Sequence, residues 1–126
     1  MFGLAGCKPT PQFVLHSPEQ TGITFANVIT ESDSINILEN EYIYNGGGVG
    51  VADMNQDGLM DLVFSGNMVS NKLYLNQGDF AFRDVSEESG ISEEKRWSSG
   101  ISIVDINLDG WPDIYICATN RDDDPY

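Results

Sequence analysis

The chain has 126 residues, of which 40% are hydrophobic and 10% aromatic. This composition supplies a packed core for about one domain and is not that of a disordered chain. Twenty acidic residues against six basic ones give a formal net charge of -14. That balance argues against nucleic acid as a partner, because contacts with phosphates require concentrated Lys and Arg. The sequence also lacks any apolar run of about 18 residues, so no membrane-spanning helix is expected.

The first predicted element is the N-terminal tetrad Leu4–Cys7, which reads L-A-G-C. It resembles the lipobox of bacterial lipoproteins, in which a signal peptidase cuts before a cysteine that is then acylated. A basic n-region and a full apolar h-region are lacking, so either the start of the signal peptide is missing or the tetrad is accidental. The resemblance implies lipidation of Cys7 and a location in the bacterial cell envelope, as an outer-membrane or surface lipoprotein. Residues 1–12 are accordingly expected to be a signal remnant and a tether.

An internal similarity follows. The segment Phe13–Ile23 resembles Phe82–Ile91 with one residue of slippage, and both segments end in Gly-Ile. The distance from this glycine to the next predicted strand is much longer in the first copy than in the second. The first copy therefore carries an insertion, predicted as a loop over much of Asn27–Asn40 followed by a strand over Glu41–Tyr44.

The central motif is Asp53–Asp61, which reads D-M-N-Q-D-G-L-M-D. Oxygen-bearing side chains occupy its first, third, fifth and ninth positions, namely Asp53, Asn55, Asp57 and Asp61. Four hard oxygen ligands in this order suit one calcium ion, and Gly58 at the sixth position permits a tight backbone reversal. The sequence therefore predicts a calcium loop.

The same motif returns at Asp105–Asp113 as D-I-N-L-D-G-W-P-D. The corresponding side chains are Asp105, Asn107, Asp109 and Asp113. Each loop follows a short strand of small residues and precedes a β-branched or aromatic one, so each is predicted to cap a β-hairpin. Two calcium ions are therefore expected.

Four strands are predicted for the first unit: Gly48–Ala52, Leu62–Phe64, Lys72–Leu75 and Phe80–Val85. The glycines before the first loop are attributed to close backbone packing of an inner strand. Four antiparallel strands per unit and loops 52 positions apart are typical of propeller blades. The predicted fold is all-β, with calcium loops on an incomplete propeller of about one and a half blades. The first repeat is assigned to 13–92 and a truncated second repeat to 93–126.

The second unit is predicted to contain a hairpin and a buried cysteine. Its hairpin strands are placed at Gly100–Val104 and Ile114–Ile116, and the apolar run around Cys117 predicts a buried, unpaired thiol. The acidic segment Arg121–Tyr126 is interpreted as a connecting loop.

With both units laid out, residues 41–119 resemble the VCBS/FG-GAP-like repeat family, most closely its cartilage-acidic-protein-like bacterial members. The resemblance rests on Gly46–Asp53, the loop through Asp61, Asn71–Gly78, Phe82–Val85 and Ser89–Ile91. It implies a calcium-stabilised β-propeller on an exported protein. It also implies that the backbone carbonyls of Leu59 and Trp111 complete the ligand sets of the two loops.

Other interpretations of the loops fit less well. An EF-hand requires an acidic residue at position twelve, where this chain has Phe64 and Ile116. Magnesium is less suitable than calcium because it dehydrates reluctantly. The remaining alternative is a pair of polar Asp-Gly turns that bind nothing. Such turns have no evident use for Asp at positions one and nine.

The function expected from these features is that of a non-catalytic binding or adhesion scaffold, whose ligand is an unidentified glycan or protein. The chain has one histidine, no Ser/His/Asp or Cys/His set and no zinc-ligand spacing, so no enzyme site is predicted. The alternative is that this chain is the N-terminal, non-catalytic part of a larger secreted carbohydrate-active or other hydrolytic enzyme.

Overall fold

The computed structural model describes residues 12–92 and 96–120. The predictions for Cys7, for the start of the tether and for Arg121–Tyr126 lie outside these residues. The described part of the chain forms two antiparallel sheets and two helices of four residues each. No helix within it is long and apolar enough to cross a membrane.

The first sheet confirms the predicted four-stranded unit. Its strands are β1 (Val49–Ala52), β2 (Asp61–Phe64), β3 (Lys72–Asn76) and β4 (Phe82–Asp84). They pair in chain order, and every pairing is antiparallel. Burial alternates along β2, with Asp61 and Val63 on the covered face, as expected for a strand that packs on one side. The predicted boundaries of β1, β2 and β3 are correct to within one residue.

The fourth strand begins later than predicted. Asp79 and Phe80 adopt left-handed backbone conformations, with φ of 51° and 59°, and such residues cannot continue a β-ladder. The Gln77 N–H donates to the carbonyl of Ala81 at 2.7 Å and closes this loop. The strand therefore starts at Phe82, after the loop has turned the chain.

The second sheet is a hairpin of β5 (Arg96–Val104) and β6 (Asp113–Asn120). Both strands contain the predicted segments and are longer than predicted. The register shifts between Ser98 and Gly100, which marks a bulge.

Cys117 on β6 carries a free thiol, as predicted, but the prediction that it is buried is wrong. Among the described residues β6 pairs along one edge only, with β5. An apolar sequence run shows only that a strand suits burial, whereas the cover over each face is decided by tertiary packing.

The similarity between Phe13–Ile23 and Phe82–Ile91 corresponds to a shared local structure. Each segment contains a one-turn helix, α1 (Pro18–Thr21) and α2 (Ser86–Ser89). Each helix ends at a glycine in the left-handed conformation, Gly22 with φ of 76° and Gly90 with φ of 72°. Glycine adopts this conformation without the steric penalty of a Cβ, which explains the glycine at this position in both copies.

The predicted strand over Glu41–Tyr44 is wrong, because this segment forms turns. The N–H of Ile43 donates to the carbonyl of Asn40 at 3.2 Å, and the N–H of Tyr42 donates to the Asn40 side-chain oxygen at 3.1 Å. An asparagine side chain that accepts a nearby N–H favours a turn over an extended strand. The alternation of tyrosines around the buried Ile43 reflects this turn and not a strand.

The hydrophobic core lies where the two sheets meet. Val63, Leu73 and Val85 of the first sheet region are buried together. Side chains from both sheets and their connections pack against this cluster: Met54, Leu75, Ile91, Ile101, Ile103 and Ile114. Burial of these aliphatic side chains, at roughly 25 cal/mol per Å², holds the second sheet against the first.

The glycines of the inner strand permit this close approach, as predicted. A Cβ on Gly48 would lie 2.8 Å from the backbone nitrogen of Ile101, and one on Gly50 would lie 2.7 Å from the Cδ1 of Ile103. The chain therefore meets the backbone of β5 at Gly48 and the side chains of β5 at Gly50, and neither position has room for a Cβ.

The corresponding glycines of the two units give a matched test of this packing. Gly48→Ala is expected to lower the free energy of unfolding by about 2 kcal/mol, because the new methyl group would press against the backbone of β5. Gly100→Ala is the control, since its Cβ would meet only Cys117 at an ordinary 3.6 Å. Urea unfolding of both variants measures the difference. Equal stability of the two would contradict close packing at Gly48.

Candidate metal centres

Asp53 organises the first loop by accepting hydrogen bonds from the backbone that follows it. Its Oδ1 accepts the N–H of Asp57 at 3.0 Å, and its Oδ2 accepts the N–H of Gly58 at 2.8 Å. The chain can fold back in this way because Gln56 and Gly58 have positive φ, of 60° and 89°. Glycine tolerates this conformation readily, whereas a residue such as glutamine rarely adopts it.

Asn55 and Asp57 extend the same network. The Asn55 Oδ1 accepts the N–H of Asp57 at 3.1 Å, and its side-chain amide donates to the Asp57 Oδ2 at 2.8 Å. The Asp57 Oδ1 accepts the N–H of Leu59 at 2.8 Å. Three of the predicted ligands therefore lie side by side and are fixed by backbone N–H groups.

Asp61 completes the loop from the start of β2 and is fully buried. Its Oδ2 accepts the N–H of Met54 at 2.8 Å, and its Oδ1 accepts the N–H of Asn76 at 2.8 Å. The side-chain amide of Asn76 also donates to the carbonyl of Met60 at 2.9 Å. Asn76 thus joins the end of β3 to the loop, a role that the sequence pattern did not reveal.

The second loop repeats the hydrogen bonds that Asp53, Asn55 and Asp57 make in the first. Asp105 accepts the backbone N–H groups of Asp109 and Gly110. The Asn107 Oδ1 accepts the N–H of Asp109, and the Asn107 side-chain amide donates to the Asp109 Oδ2. The Asp109 Oδ1 accepts the N–H of Trp111. Each of these distances, between 2.8 and 3.1 Å, differs by at most 0.1 Å from its counterpart in the first loop. The two motifs are therefore one structure used twice.

The ninth position differs between the loops. The Oδ2 of Asp113 accepts the N–H of Ile106 at 2.9 Å. The Oδ2 of Asp61 accepts the N–H of Met54 in the same way. Asp113 is only half-buried, and no strand equivalent to β3 lies beside it within the described residues. The first loop is accordingly held by both neighbouring strands of its sheet, and the second by one hairpin.

The loops are strongly acidic. Hydrogen bonds from the Trp111 N–H and then from the Asn107 amide hold the pKa of Asp109 below its usual value. The two ion pairs seen in the described part of the chain, Lys72–Asp84 and Arg83–Glu88, lie outside both loops.

The residues present fit a hard divalent cation by donor type, because each loop offers three carboxylates and one amide oxygen. The carboxylates do not gather at one point: within residues 12–92 and 96–120, no three His, Cys, Asp or Glu side chains form a metal-binding group. Instead, each is directed towards backbone N–H groups. The argument that a plain turn has no use for Asp at positions one and nine is therefore wrong, since Asp53 and Asp61 both accept such bonds.

One contact joins the two loops. The side-chain amide of Gln56 donates to the carbonyl of Gly110 at 2.7 Å. The ligand pattern gave no indication of this bond, because position four of the motif is not a ligand. The only signal in the sequence is the difference between the copies, glutamine in the first and Leu108 in the second.

A groove of about 290 Å³ lies between the second sheet and the segments that precede β3 and follow α2. Its described lining residues are Asn71, Gly90, Ile91, Arg96, Ile114 and Ile116. No carboxylate is among these described lining residues.

A family model described as an FG-GAP-like repeat matches residues 53–116, which is just over half of the chain. The match begins at the first residue of the first loop and extends past the last residue of the second. No curated protein and no solved structure matches the chain.

Proposed function

The chain belongs to the FG-GAP-like repeat family, and we propose from this membership that Asp53–Asp61 and Asp105–Asp113 are calcium loops on neighbouring β-propeller blades. The blade assignment is supported by the four-stranded antiparallel sheet, in which strands pair in chain order. It is also supported by the contact of β1 with β5, the first strand of each unit. In a propeller, such first strands lie side by side around the central axis.

The repeated loop geometry is the observation that carries the calcium proposal. The same donor residues stand at the same positions in two loops, and the same backbone bonds hold them. Backbone bonds leave further lone pairs on each carboxylate oxygen, which can face a cation. Asp57 and Asp109 are exposed at the loop tips, where solvent ions reach them.

The proposed ligands are the side-chain oxygens at positions one, three, five and nine, with the Leu59 and Trp111 carbonyls. A bound calcium ion would neutralise carboxylates that now repel one another. The chain's own contribution is to hold the loop: Asp53 and Asp61 tie its two ends to backbone N–H groups, and Gly58 provides the reversal. Chelation at these positions would then strengthen the link between β1 and β2.

At the level of the whole protein, we propose a non-catalytic scaffold for binding or adhesion, with 13–92 as the first repeat and 93–126 as the second. FG-GAP-like repeats are non-catalytic units. The proposed ligand is a glycan or a protein, and the proposed anchor is a lipid on Cys7 at the surface of a bacterial envelope. The lipobox-like tetrad supports the anchor, and the net charge of -14 suits an exported calcium-binding protein.

Counting the bound ions tests the calcium proposal. Isothermal titration of the full chain is expected to give two calcium ions per molecule. Asp57→Ala and Asp109→Ala are each expected to leave one ion, because each removes the central carboxylate of one loop. Asp33→Ala, which removes an acidic residue outside both loops, is the control and should leave two. A wild-type chain that binds no calcium, or single variants that still bind two, would contradict the proposal.

A further inference from the structure

The hydrogen bond between the Gln56 amide and the Gly110 carbonyl joins two residues that are each adjacent in sequence to proposed calcium ligands. Gln56 lies between Asn55 and Asp57, two proposed ligands of the first loop. Its left-handed backbone, with φ of 60°, is part of the reversal that brings those neighbours together. An ion that fixes Asn55 and Asp57 would therefore also fix the backbone that carries the Gln56 side chain.

On the other side, the bond reaches a proposed ligand of the second loop through one peptide unit. The Gly110 carbonyl that accepts the Gln56 amide belongs to the same peptide group as the Trp111 N–H, which donates to the Asp109 Oδ1 at 2.8 Å. A hydrogen bond to the carbonyl of a peptide polarises its N–H and strengthens the bond that this N–H donates. Gln56 thus supports Asp109 through Gly110 and Trp111.

The hydrogen bond has no symmetric counterpart, because the second loop has an apolar residue at the equivalent position. Leu108 has the same φ of 60° as Gln56 and is largely exposed, with 86% of its surface accessible. Its side chain has no donor, so it cannot make a similar bond. The backbone geometry therefore accepts either residue, and the glutamine amide is what distinguishes the first loop.

We propose that Gln56 couples the two calcium loops, so that an ion in one raises the affinity of the other. The inference rests on the proposed calcium binding described above. Because the coupling depends on one exposed hydrogen bond, an ion in one loop is expected to change the calcium affinity of the other about threefold to tenfold. By thermodynamic linkage, the factor is the same whichever loop is filled first.

The coupling is measured by calcium titration of three versions of the chain. Asp109→Ala gives the affinity of the first loop with the second disabled, and Asp57→Ala gives the affinity of the second loop alone. The wild-type titration gives the overall association constant for two ions, which is the product of the two single-loop constants multiplied by the coupling factor. Division by the two single-loop constants therefore gives the factor. The same set is repeated with Gln56→Leu, which removes the donor and places at position 56 the residue that the second loop already tolerates. In that background the factor is expected to fall to about one.

Leu108→Ala is the matched control, because it alters the same position of the other loop without touching the bond; its coupling factor should equal that of the wild type. Circular dichroism confirms that each variant folds, and Gln56→Ala should reproduce the loss. Two calcium sites with a factor of one in the wild type, or a factor unchanged by Gln56→Leu, would overturn the coupling alone. Absence of any bound calcium would instead overturn the proposed function, and the coupling with it.

Discussion

Calcium at a hundredfold excess over its dissociation constant is expected to stabilise the folded chain by about 5 kcal/mol, or about 2.7 kcal/mol for each loop. The gain follows from mass action, because the unfolded chain does not hold the four side chains of a loop together. The measurement is urea unfolding, monitored by circular dichroism, in calcium and in EDTA.

Two controls separate ion binding from general screening. The chain carries a net charge of -14, so any salt reduces self-repulsion and raises stability to some extent. Sodium chloride at matched ionic strength measures that contribution. The double variant Asp57→Ala/Asp109→Ala should retain the response to salt and lose the response to calcium. Equal stability of the wild-type chain in calcium and EDTA would contradict a stabilising role for the loops.

Replacement of Asp61 by alanine is expected to lower the free energy of unfolding by about 3 kcal/mol even in EDTA. Asp61 is fully buried, and each of its carboxylate oxygens accepts a backbone N–H, from Met54 and from Asn76. Alanine would leave both donors without an acceptor, and a buried donor without a partner is costly. EDTA excludes any contribution from a bound ion.

The equivalent residue of the second loop provides the control. Asp113 is half-buried and accepts one backbone N–H, from Ile106, so Asp113→Ala is expected to cost only about 1 kcal/mol. Asp61→Asn should fall between the two alanine variants, since an amide keeps one acceptor oxygen. If Asp61→Ala and Asp113→Ala cost the same, the hydrogen bond from Asn76 at the end of β3 does not contribute to the stability of the first loop.

Much of the fold follows directly from the sequence because its local signals agree with the tertiary structure. The small residues before Asp53–Asp61 and the β-branched and aromatic residues after it predict a hairpin, and the glycines before the loop predict an inner strand. In the structure, β1 and β2 form that hairpin, and a Cβ on Gly48 would meet the backbone of β5. The repeat itself strengthens these predictions, since each unit confirms the pattern of the other.

The errors arise where long-range packing or local side-chain bonds decide the outcome. Glu41–Tyr44 has strand-like alternation, but Asn40 accepts a hydrogen bond from Tyr42 and favours a turn. Cys117 lies in an apolar run, yet its exposure depends on which strand covers β6. The periodicity of apolar residues does not show which group a side chain will hydrogen-bond, or which element will pack on a given face of a sheet.

The candidate site, too, could be predicted only in part from the sequence. Ligand spacing identifies Asp53, Asn55, Asp57 and Asp61 as a group, and the structure joins them in one hydrogen-bonded loop. The sequence does not reveal that backbone N–H groups already bind these carboxylates. It also gives no indication that Gln56 reaches the second loop, because that contact joins residues 54 positions apart.

The central claim is that the two repeated loops each hold one calcium ion, and crystals grown in millimolar calcium test it most directly. The expected result is one ion in each loop with oxygen ligands at about 2.3–2.6 Å. Those ligands should come from Asp53, Asn55, Asp57 and Asp61, and from their counterparts in Asp105–Asp113. Loops that contain only water, with the carboxylates still bound solely to backbone N–H groups, would contradict the claim.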